Sequence, residues 1–151
     1  MQIASHMEKF ERLTALRARF DPLADFELWY WTTLAASTNA LNVALHHCGA
    51  TTPDRAFSTI PGMHVVPQPD GTWRRELRGP GDVSHVGWPP VDGPVPPDVE
   101  SLMHAIERIE EKRDPCLRGD RAPSPAIVGE CESAFEIVAR LLRARLAGSA
   151  R

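Results

Sequence analysis

The sequence lacks the features that would place it in several large classes of protein. It has only three cysteines, Cys48, Cys116 and Cys131, and no pair of them has C-x-x-C spacing. An odd, widely spaced set argues against a disulfide-stapled scaffold and favours free thiols in a reducing compartment. No apolar segment typical of a signal peptide stands at the N-terminus. We therefore predict a cytoplasmic protein. Residues 1–6 resemble a cloning remnant, so His6 receives no weight.

Long hydrophobic runs and a strong charge imbalance are also missing. The longest uncharged run covers residues 28–52, and its threonines, serine, asparagines and histidines make it too polar for an isolated membrane span. The net charge is −3, from 17 basic and 20 acidic residues. That balance argues against a protein that coats nucleic acid or an anionic membrane with its whole surface.

The familiar catalytic signatures are absent as well. The sequence contains no G-x-S-x-G, no G-x-x-x-x-G-K-[ST] and no G-x-G-x-x-G, so neither a serine hydrolase elbow nor a nucleotide-binding loop is indicated. It also contains neither H-x-x-x-H nor H-E-x-x-H, the spacings that bring two imidazoles to one zinc ion from a single helix. The leading interpretation therefore includes no cofactor and no metal.

Hydrophobic periodicity predicts four helices, over residues 5–20, 22–48, 98–113 and 125–147. The second is central, because Asp21 and Pro22 are typical of a helix start and Gly49 is typical of the position just past a helix end. Apolar and small residues recur along it every three or four positions. This stripe comprises Phe26, Tyr30, Leu34, Ser37, Leu41 and Leu45.

Between the second and third helices, residues 50–97 form a long insertion that holds ten of the fourteen prolines. A regular long helix is excluded there. Pro69, Asp70 and Gly71 form a strong turn signal between two β-rich runs, which predicts a short hairpin. The predicted fold is a single all-α domain over residues 1–151, an up-down four-helix bundle with this Pro/Gly-rich insertion.

Several residues are candidates for binding a ligand or a partner. Asn39 and Asn42 lie in the middle of the second helix, where asparagine either holds a partner helix in register or contacts the polar edge of a ligand. Aromatic residues near the start of that helix are typical of a core or a dimer interface, and more rarely of a base-stacking platform. The predicted binding residues are Trp29, Trp31, Asn39, Asn42, His46, Trp73 and Trp88.

Histidines offer a metal site as an alternative. His46 and His47 end the second helix beside the insertion, which carries His64 and His85. Imidazoles of this kind could bind zinc and support a metal-dependent hydrolase. Adjacent helical side chains point about 100° apart, so only one of His46 and His47 can easily face a given ion.

The run from Asp25 to Asn42, DFELWYWTTLAASTNALN, resembles the second helix of HEPN-like bundle proteins, which are short and mostly prokaryotic helical domains. The resemblance implies a homodimer and, in some members, a metal-independent ribonuclease of toxin type or a nucleotide-binding role. In the nuclease members an arginine is followed by a histidine near a helix start. Here Arg78 and His85 have similar spacing but lie in a predicted loop.

Many HEPN-like domains lack that motif and act as interaction modules. The leading hypothesis is therefore a non-catalytic HEPN-like module that self-associates or binds a protein partner. A ribonuclease that uses Arg78 and His85 is one alternative. A metal-dependent hydrolase around His46, His47, His64 and His85 is the other. RNA or a nucleotide is a secondary expectation as a ligand, and no membrane association is expected.

Overall fold

The fold was analysed in a computed structural model that describes residues 1–55, 60 and 62–148. Residues 56–59 and 61 of the predicted insertion, and the last three residues of the predicted domain, lie outside this described part. The helices are α1 (Ile3–Arg17), α2 (Phe26–His47), α3 (Pro97–Glu110) and α4 (Pro125–Gly148), and the strands are β1 (Met63–Pro67) and β2 (Trp73–Leu77). A five-residue π-helical segment, Asp114–Arg118, joins α3 to α4.

The predicted all-α class is wrong, because β1 and β2 pair as an antiparallel two-stranded sheet. Met63 lies opposite Leu77, and Pro67 lies opposite Trp73. The turn between the strands uses Gly71 at φ +83°, and the Asp70 carboxylate accepts the backbone N–H of Thr72 at 2.9 Å. The fold is therefore helix-rich with a small sheet, and its four helices and the hairpin in the insertion agree loosely with the predicted bundle and its predicted hairpin.

Helix α2 begins at Phe26, four residues later than the sequence predicted. The reason is a separate turn that precedes it. One carboxylate oxygen of Asp21 accepts the backbone N–H groups of Leu23 and Ala24, at 2.9 and 2.8 Å. Aspartate side chains commonly compete with a helix in this way, and here the competition delays the first helical residue.

Helices α1 and α2 pack as an antiparallel pair. His6, near the start of α1, contacts Asn39 toward the end of α2, whereas Arg17, the last residue of α1, donates to Thr33 at 2.9 Å. Helices α3 and α4 pack on each other, and both also contact α2. None of the helices in the described residues is long and apolar enough to cross a membrane. The core that joins the four helices includes the buried side chains of Phe10, Trp29, Tyr30, Leu41, Leu102, Ile106, Ile127 and Leu142.

The later part of the insertion docks on this bundle through a few fixed points. Asn42 of α2 accepts the backbone N–H of Val83 at 2.7 Å and donates to the carbonyl of the same residue at 2.9 Å. The Val83 side chain is buried, and Glu110 of α3 accepts the backbone N–H of Val86 at 3.1 Å. These contacts hold the segment that follows Asp82 against α2 and α3.

Candidate metal centre

Two histidines and one aspartate converge where α1, α2 and the insertion meet. Nε2 of His6 lies 3.1 Å from Oδ1 of Asp82, and Nε2 of His46 lies 2.9 Å from the same oxygen. The three side chains are 4, 0 and 2% exposed. Their potential ligand atoms all lie within 4.8 Å of one another. They form the one group of three potential metal ligands found in the described part of the chain, called here the His6–His46–Asp82 cluster.

The fold explains why these residues meet. Because α1 and α2 are antiparallel, the first turns of α1 lie beside the last turn of α2, and this places His6 next to His46. Their rings have centroids 5.5 Å apart. Asp82 is adjacent to Val83, whose backbone is clamped by Asn42 of α2. The cluster therefore depends on contacts across 36 residues and more of the sequence.

The outer nitrogen of His6 is held by an oriented amide. The side-chain nitrogen of Asn39 donates to the carbonyl of Ala35 at 2.8 Å, so its oxygen is turned toward His6. Nδ1 of His6 donates to that oxygen at 2.8 Å. A metal ion would replace the hydrogen bond between Nε2 and Asp82, while the hydrogen bond from Nδ1 to Asn39 would stay, as a carbonyl or carboxylate partner does for metal-bound histidine.

The outer nitrogen of His46 also has a partner. Its Nδ1 lies 2.6 Å from the hydroxyl of Thr51, which is buried just past the end of α2. This hydrogen bond fixes the plane of the ring, and it directs Nε2 at Asp82. Both imidazoles thus have the supporting hydrogen bond that orients a metal-binding histidine.

Asp82 is held in its ionised form, which is the form that binds a metal. Burial alone would raise the pKa of Asp82, but hydrogen bonds from His46, His6 and the N-terminal ammonium outweigh burial and hold that pKa well below its usual range. The ammonium of Met1 lies 2.5 and 2.6 Å from the two carboxylate oxygens. A metal ion would therefore replace hydrogen bonds that Asp82 already accepts from His6 and His46.

The spacing of the cluster suits a small transition-metal ion. Zinc binds imidazole nitrogen and carboxylate oxygen at about 2.0–2.2 Å, so neighbouring ligand atoms in a tetrahedral site lie about 3.3 Å apart. The Nε2–Oδ1 distances in the cluster, 3.1 and 2.9 Å, are already close to that separation. Two histidines and one carboxylate are also the ligand set of many catalytic zinc and non-haem iron sites, which keep open positions for water or substrate.

A cleft of about 400 Å³ reaches one residue of the cluster, His6. His6 and Asn39 line it, together with Lys9 of α1 and Ser84 of the insertion. A second cleft of about 310 Å³ shares Asn39 and Ser84 with the first and continues toward Trp31. A volume of this size is typical of small-molecule sites, so the cluster has room beside it for a substrate.

A second buried histidine lies nearby but has a different environment. Nδ1 of His64 lies 2.7 Å from Oδ2 of Asp54, and Nε2 lies 3.2 Å from the carbonyl oxygen of Gly79. A void of only about 10 Å³, room for about one water, separates this pair from Asp82. Both ring nitrogens face fixed oxygens. The hydrogen bonds of His64 therefore attach the hairpin to the segment that leads to Asp82.

His47 does not join His46 at the cluster. Its Nδ1 is buried and has no hydrogen-bond partner in the described residues, and its neighbour Cys48 donates its thiol to the carbonyl of Leu45. The expected divergence of adjacent helical side chains accounts for this difference. Of the four histidines in the predicted metal alternative, the structure places His46 in the cluster and His64 beside it.

The two residues of the predicted ribonuclease pair have different hydrogen-bond partners. Arg78 follows β2 and donates to Glu76 at 2.7 Å on the exposed edge of the hairpin. His85 lines the second cleft and donates from Nδ1 to the carbonyl of Val86 at 3.0 Å. No hydrogen bond joins Arg78 to His85 within the described residues, and the ribonuclease role stays a prediction.

The other predicted binding residues fall into three environments. Asn39 and Asn42 support the cluster, since one orients His6 and the other anchors the backbone beside Asp82. Trp29 is 2% exposed and belongs to the core, whereas Trp31 is 41% exposed and lines the second cleft. The two tryptophans of the insertion are more than half exposed, so neither covers the bundle.

Sequence reasoning missed two of the three cluster residues. It set His6 aside because the first residues resemble a cloning remnant, and it did not single out Asp82. An antiparallel arrangement of the first two helices would have placed His6 beside His46, so that signal was present. Nothing local distinguishes Asp82 from the other nineteen acidic residues.

Comparisons with known proteins identify no relative of this chain. No family model, no curated protein and no solved structure matches the chain. The functional interpretation therefore depends on the geometry of the cluster and its cleft.

Proposed function

We propose that the protein is a metal-dependent hydrolase whose metal ion is held by His6, His46 and Asp82. The observation that carries the proposal is the convergence of two imidazole Nε2 atoms on one buried carboxylate oxygen. The outer nitrogens of both rings are already hydrogen-bonded, so the rings are oriented before any ion binds. This preorganisation distinguishes the cluster from an accidental group of polar side chains.

Zinc is the metal we expect. Nitrogen ligands and a single carboxylate suit zinc better than calcium or magnesium, which prefer six or more oxygen ligands. Bound zinc would supply an activated water at neutral pH and polarise the bond under attack. An ion held by His6, His46 and Asp82 would in this way support hydrolysis at an acyl or phosphoryl centre.

The side chains of this chain have distinct roles in the proposal. His6 and His46 would bind the metal ion through Nε2, and the negative charge of Asp82 would lower the net charge of the metal site. Asn39 keeps the proton of His6 on Nδ1, and Asn42 holds the backbone that presents Asp82. The cleft beside His6 admits the substrate, while burial of the three ligands keeps bulk water from their far side.

The proposal is tested by zinc binding. Metal-free protein is prepared with a chelator, the chelator is removed, and zinc is titrated by isothermal calorimetry. We expect one zinc ion per chain. His46→Gln should weaken binding by more than about a hundredfold, since a first ligand matters at least as much as its supporting partner. His47→Gln, the adjacent residue outside the cluster, should bind zinc as the wild type does.

The same protein is then tested for hydrolysis of 4-nitrophenyl esters and phosphates, with and without zinc. Activity that needs zinc and is lost in His46→Gln supports the proposal. If the wild type binds no zinc, or if His47→Gln weakens binding as much as His46→Gln does, the cluster is a structural ion-pair group and the proposal fails.

Self-association through α2 is a second candidate property. Leu28 and Trp31 lie three positions apart on α2 and are 57 and 41% exposed. Exposed apolar residues on one helical face favour a protein contact, which supports the predicted interaction module. Sedimentation equilibrium of the wild type and of Leu28→Glu tests it. A dimer that the substitution dissociates supports the contact, and a monomeric wild type rejects it.

A further inference from the structure

The cleft beside the cluster has one charged side chain besides the cluster itself, Lys9 of α1. Lys9 is three residues from His6, so both lie on the same face of α1. Its ammonium is half-buried, and its one hydrogen-bond contact within the described residues is the thioether of Met1 at 3.4 Å. No carboxylate of the described chain pairs with it. A partly buried cation without an acidic partner favours binding of an anion.

The other polar groups of the cleft are mostly occupied. Thr38 donates its hydroxyl to the carbonyl of Leu34 at 3.0 Å. Asn39 uses both amide atoms, one for Ala35 and one for His6, and Asn42 uses both on backbone groups. The donors that stay available to a ligand are the Lys9 ammonium and the hydroxyl of exposed Ser84, for which the described residues contain no partner.

We infer that the cleft binds small-molecule substrates through an anionic group, held by the ammonium of Lys9 and the hydroxyl of Ser84. This inference rests on the proposed metal-dependent hydrolysis, because it names the substrate class of that same site. The shared chemistry is a carboxylate or a phosphate, either of which accepts hydrogen bonds from an ammonium and a hydroxyl. The volume of about 400 Å³ also accommodates a compact organic group next to the anion.

The test uses two probes of nearly equal shape that differ in charge, benzoate and benzamide. Each is titrated into zinc-loaded, ¹⁵N-labelled protein, and binding is followed by backbone amide shifts. Benzoate should bind at least about tenfold more tightly than benzamide, since a hydrogen bond to a charged group contributes at least this much. Phenyl phosphate is titrated in the same way. Whichever of benzoate and phenyl phosphate binds more tightly identifies the preferred anion, a carboxylate or a phosphate.

The chain offers a matched control, because Lys9 and Lys112 are its two lysines. Lys9→Met should weaken benzoate binding by about tenfold and leave zinc affinity within about twofold. Lys112→Met, which removes an ion pair with Glu130 on another face, should leave benzoate binding unchanged. Unchanged zinc affinity in Lys9→Met shows that the variant is folded at the cluster.

The outcomes separate this inference from the proposed function. If zinc binds but benzoate binds no better than benzamide, or binds Lys9→Met equally well, the anion site is wrong and the metal centre stands. If the wild type binds no zinc but binds benzoate in a Lys9-dependent manner, the anion site stands and the proposed hydrolase fails.

Discussion

Two buried histidine–aspartate groups lie on either side of one small void, and they are built differently. In the His6–His46–Asp82 cluster, two imidazoles meet one carboxylate oxygen and a cleft opens beside them. In the other group, His64 alone joins Asp54 to a backbone carbonyl, with room for about one water. The comparison teaches that burial of a histidine beside an aspartate does not by itself indicate a metal site. A metal site is indicated instead by the number of ligand atoms that converge and by the space beside them.

The largest expected difference between the two groups is in metal affinity. Asp82→Asn removes the charged ligand and should weaken zinc binding by more than about a hundredfold. Asp54→Asn makes the same chemical change in the other group and should leave zinc affinity nearly unchanged. Calorimetric titration of both variants measures this. Equal losses in the two variants would mean that the groups are not distinct and that zinc binds elsewhere or to both.

Acid stability of the metal-free protein provides the next comparison. The pKa of Asp82 is lower in the folded state than in the unfolded chain, so the unfolded state binds more protons in the pH range between those two pKa values. The stabilisation is therefore complete above about pH 5 and is lost as pH falls toward the folded pKa, with about 1 kcal/mol of that loss expected by pH 3. Urea unfolding between pH 3 and 6 measures it.

Asp82→Asn is the control for that experiment, since the amide does not titrate. Its free energy of unfolding should fall less steeply between pH 5 and pH 3 than that of the wild type. Parallel curves for the two proteins would contradict the assigned electrostatics of Asp82, because other carboxylates would then account for all of the acid sensitivity.

A smaller effect is expected from the outer hydrogen bond of His6. Asn39→Ala removes the acceptor that fixes the proton on Nδ1, and zinc affinity should fall by about tenfold. Thr38→Ala, the adjacent residue whose hydroxyl bonds only within α2, serves as the matched control and should retain wild-type affinity. If both variants bind zinc like the wild type, then Asn39 is not a supporting residue of the site.

The smallest effect should come from the His64 group. A Cβ atom at Gly81 would lie 3.1 Å from Nε2 of His64, which is tighter than most Cβ contacts in proteins, whereas a Cβ at Gly79 would meet nothing within 4 Å. Gly81→Ala should therefore reduce the free energy of unfolding by about 1 kcal/mol, a typical cost of mild overpacking. Gly79→Ala should cost less. Thermal or urea unfolding of both variants checks the order.

Much of the helical framework could be predicted from the sequence. The periodic stripe of α2 and the Pro-Asp-Gly turn gave the central helix and the hairpin, because both signals are local. The all-α class was nevertheless wrong, since that local hairpin forms a true two-stranded sheet. The start of α2 was misplaced because the side chain of Asp21 bonds to the two backbone N–H groups that follow Pro22, and a periodic pattern does not reveal this.

The candidate site was only partly predictable for a physical reason. His46 could be identified, because it ends a helix beside a histidine-containing insertion. Asp82 could not, because its position depends on the clamp between Asn42 and Val83, residues 41 positions apart. Contacts of that range are fixed by packing of the whole fold, and no local pattern encodes them.

Crystals of the protein soaked with zinc, with diffraction recorded on both sides of the zinc absorption edge, test the central claim most directly. The account predicts one strong anomalous peak about 2.0–2.2 Å from Nε2 of His6, Nε2 of His46 and a carboxylate oxygen of Asp82. A peak on the exposed pair of His104 and Glu107, or no peak at the cluster, would contradict it.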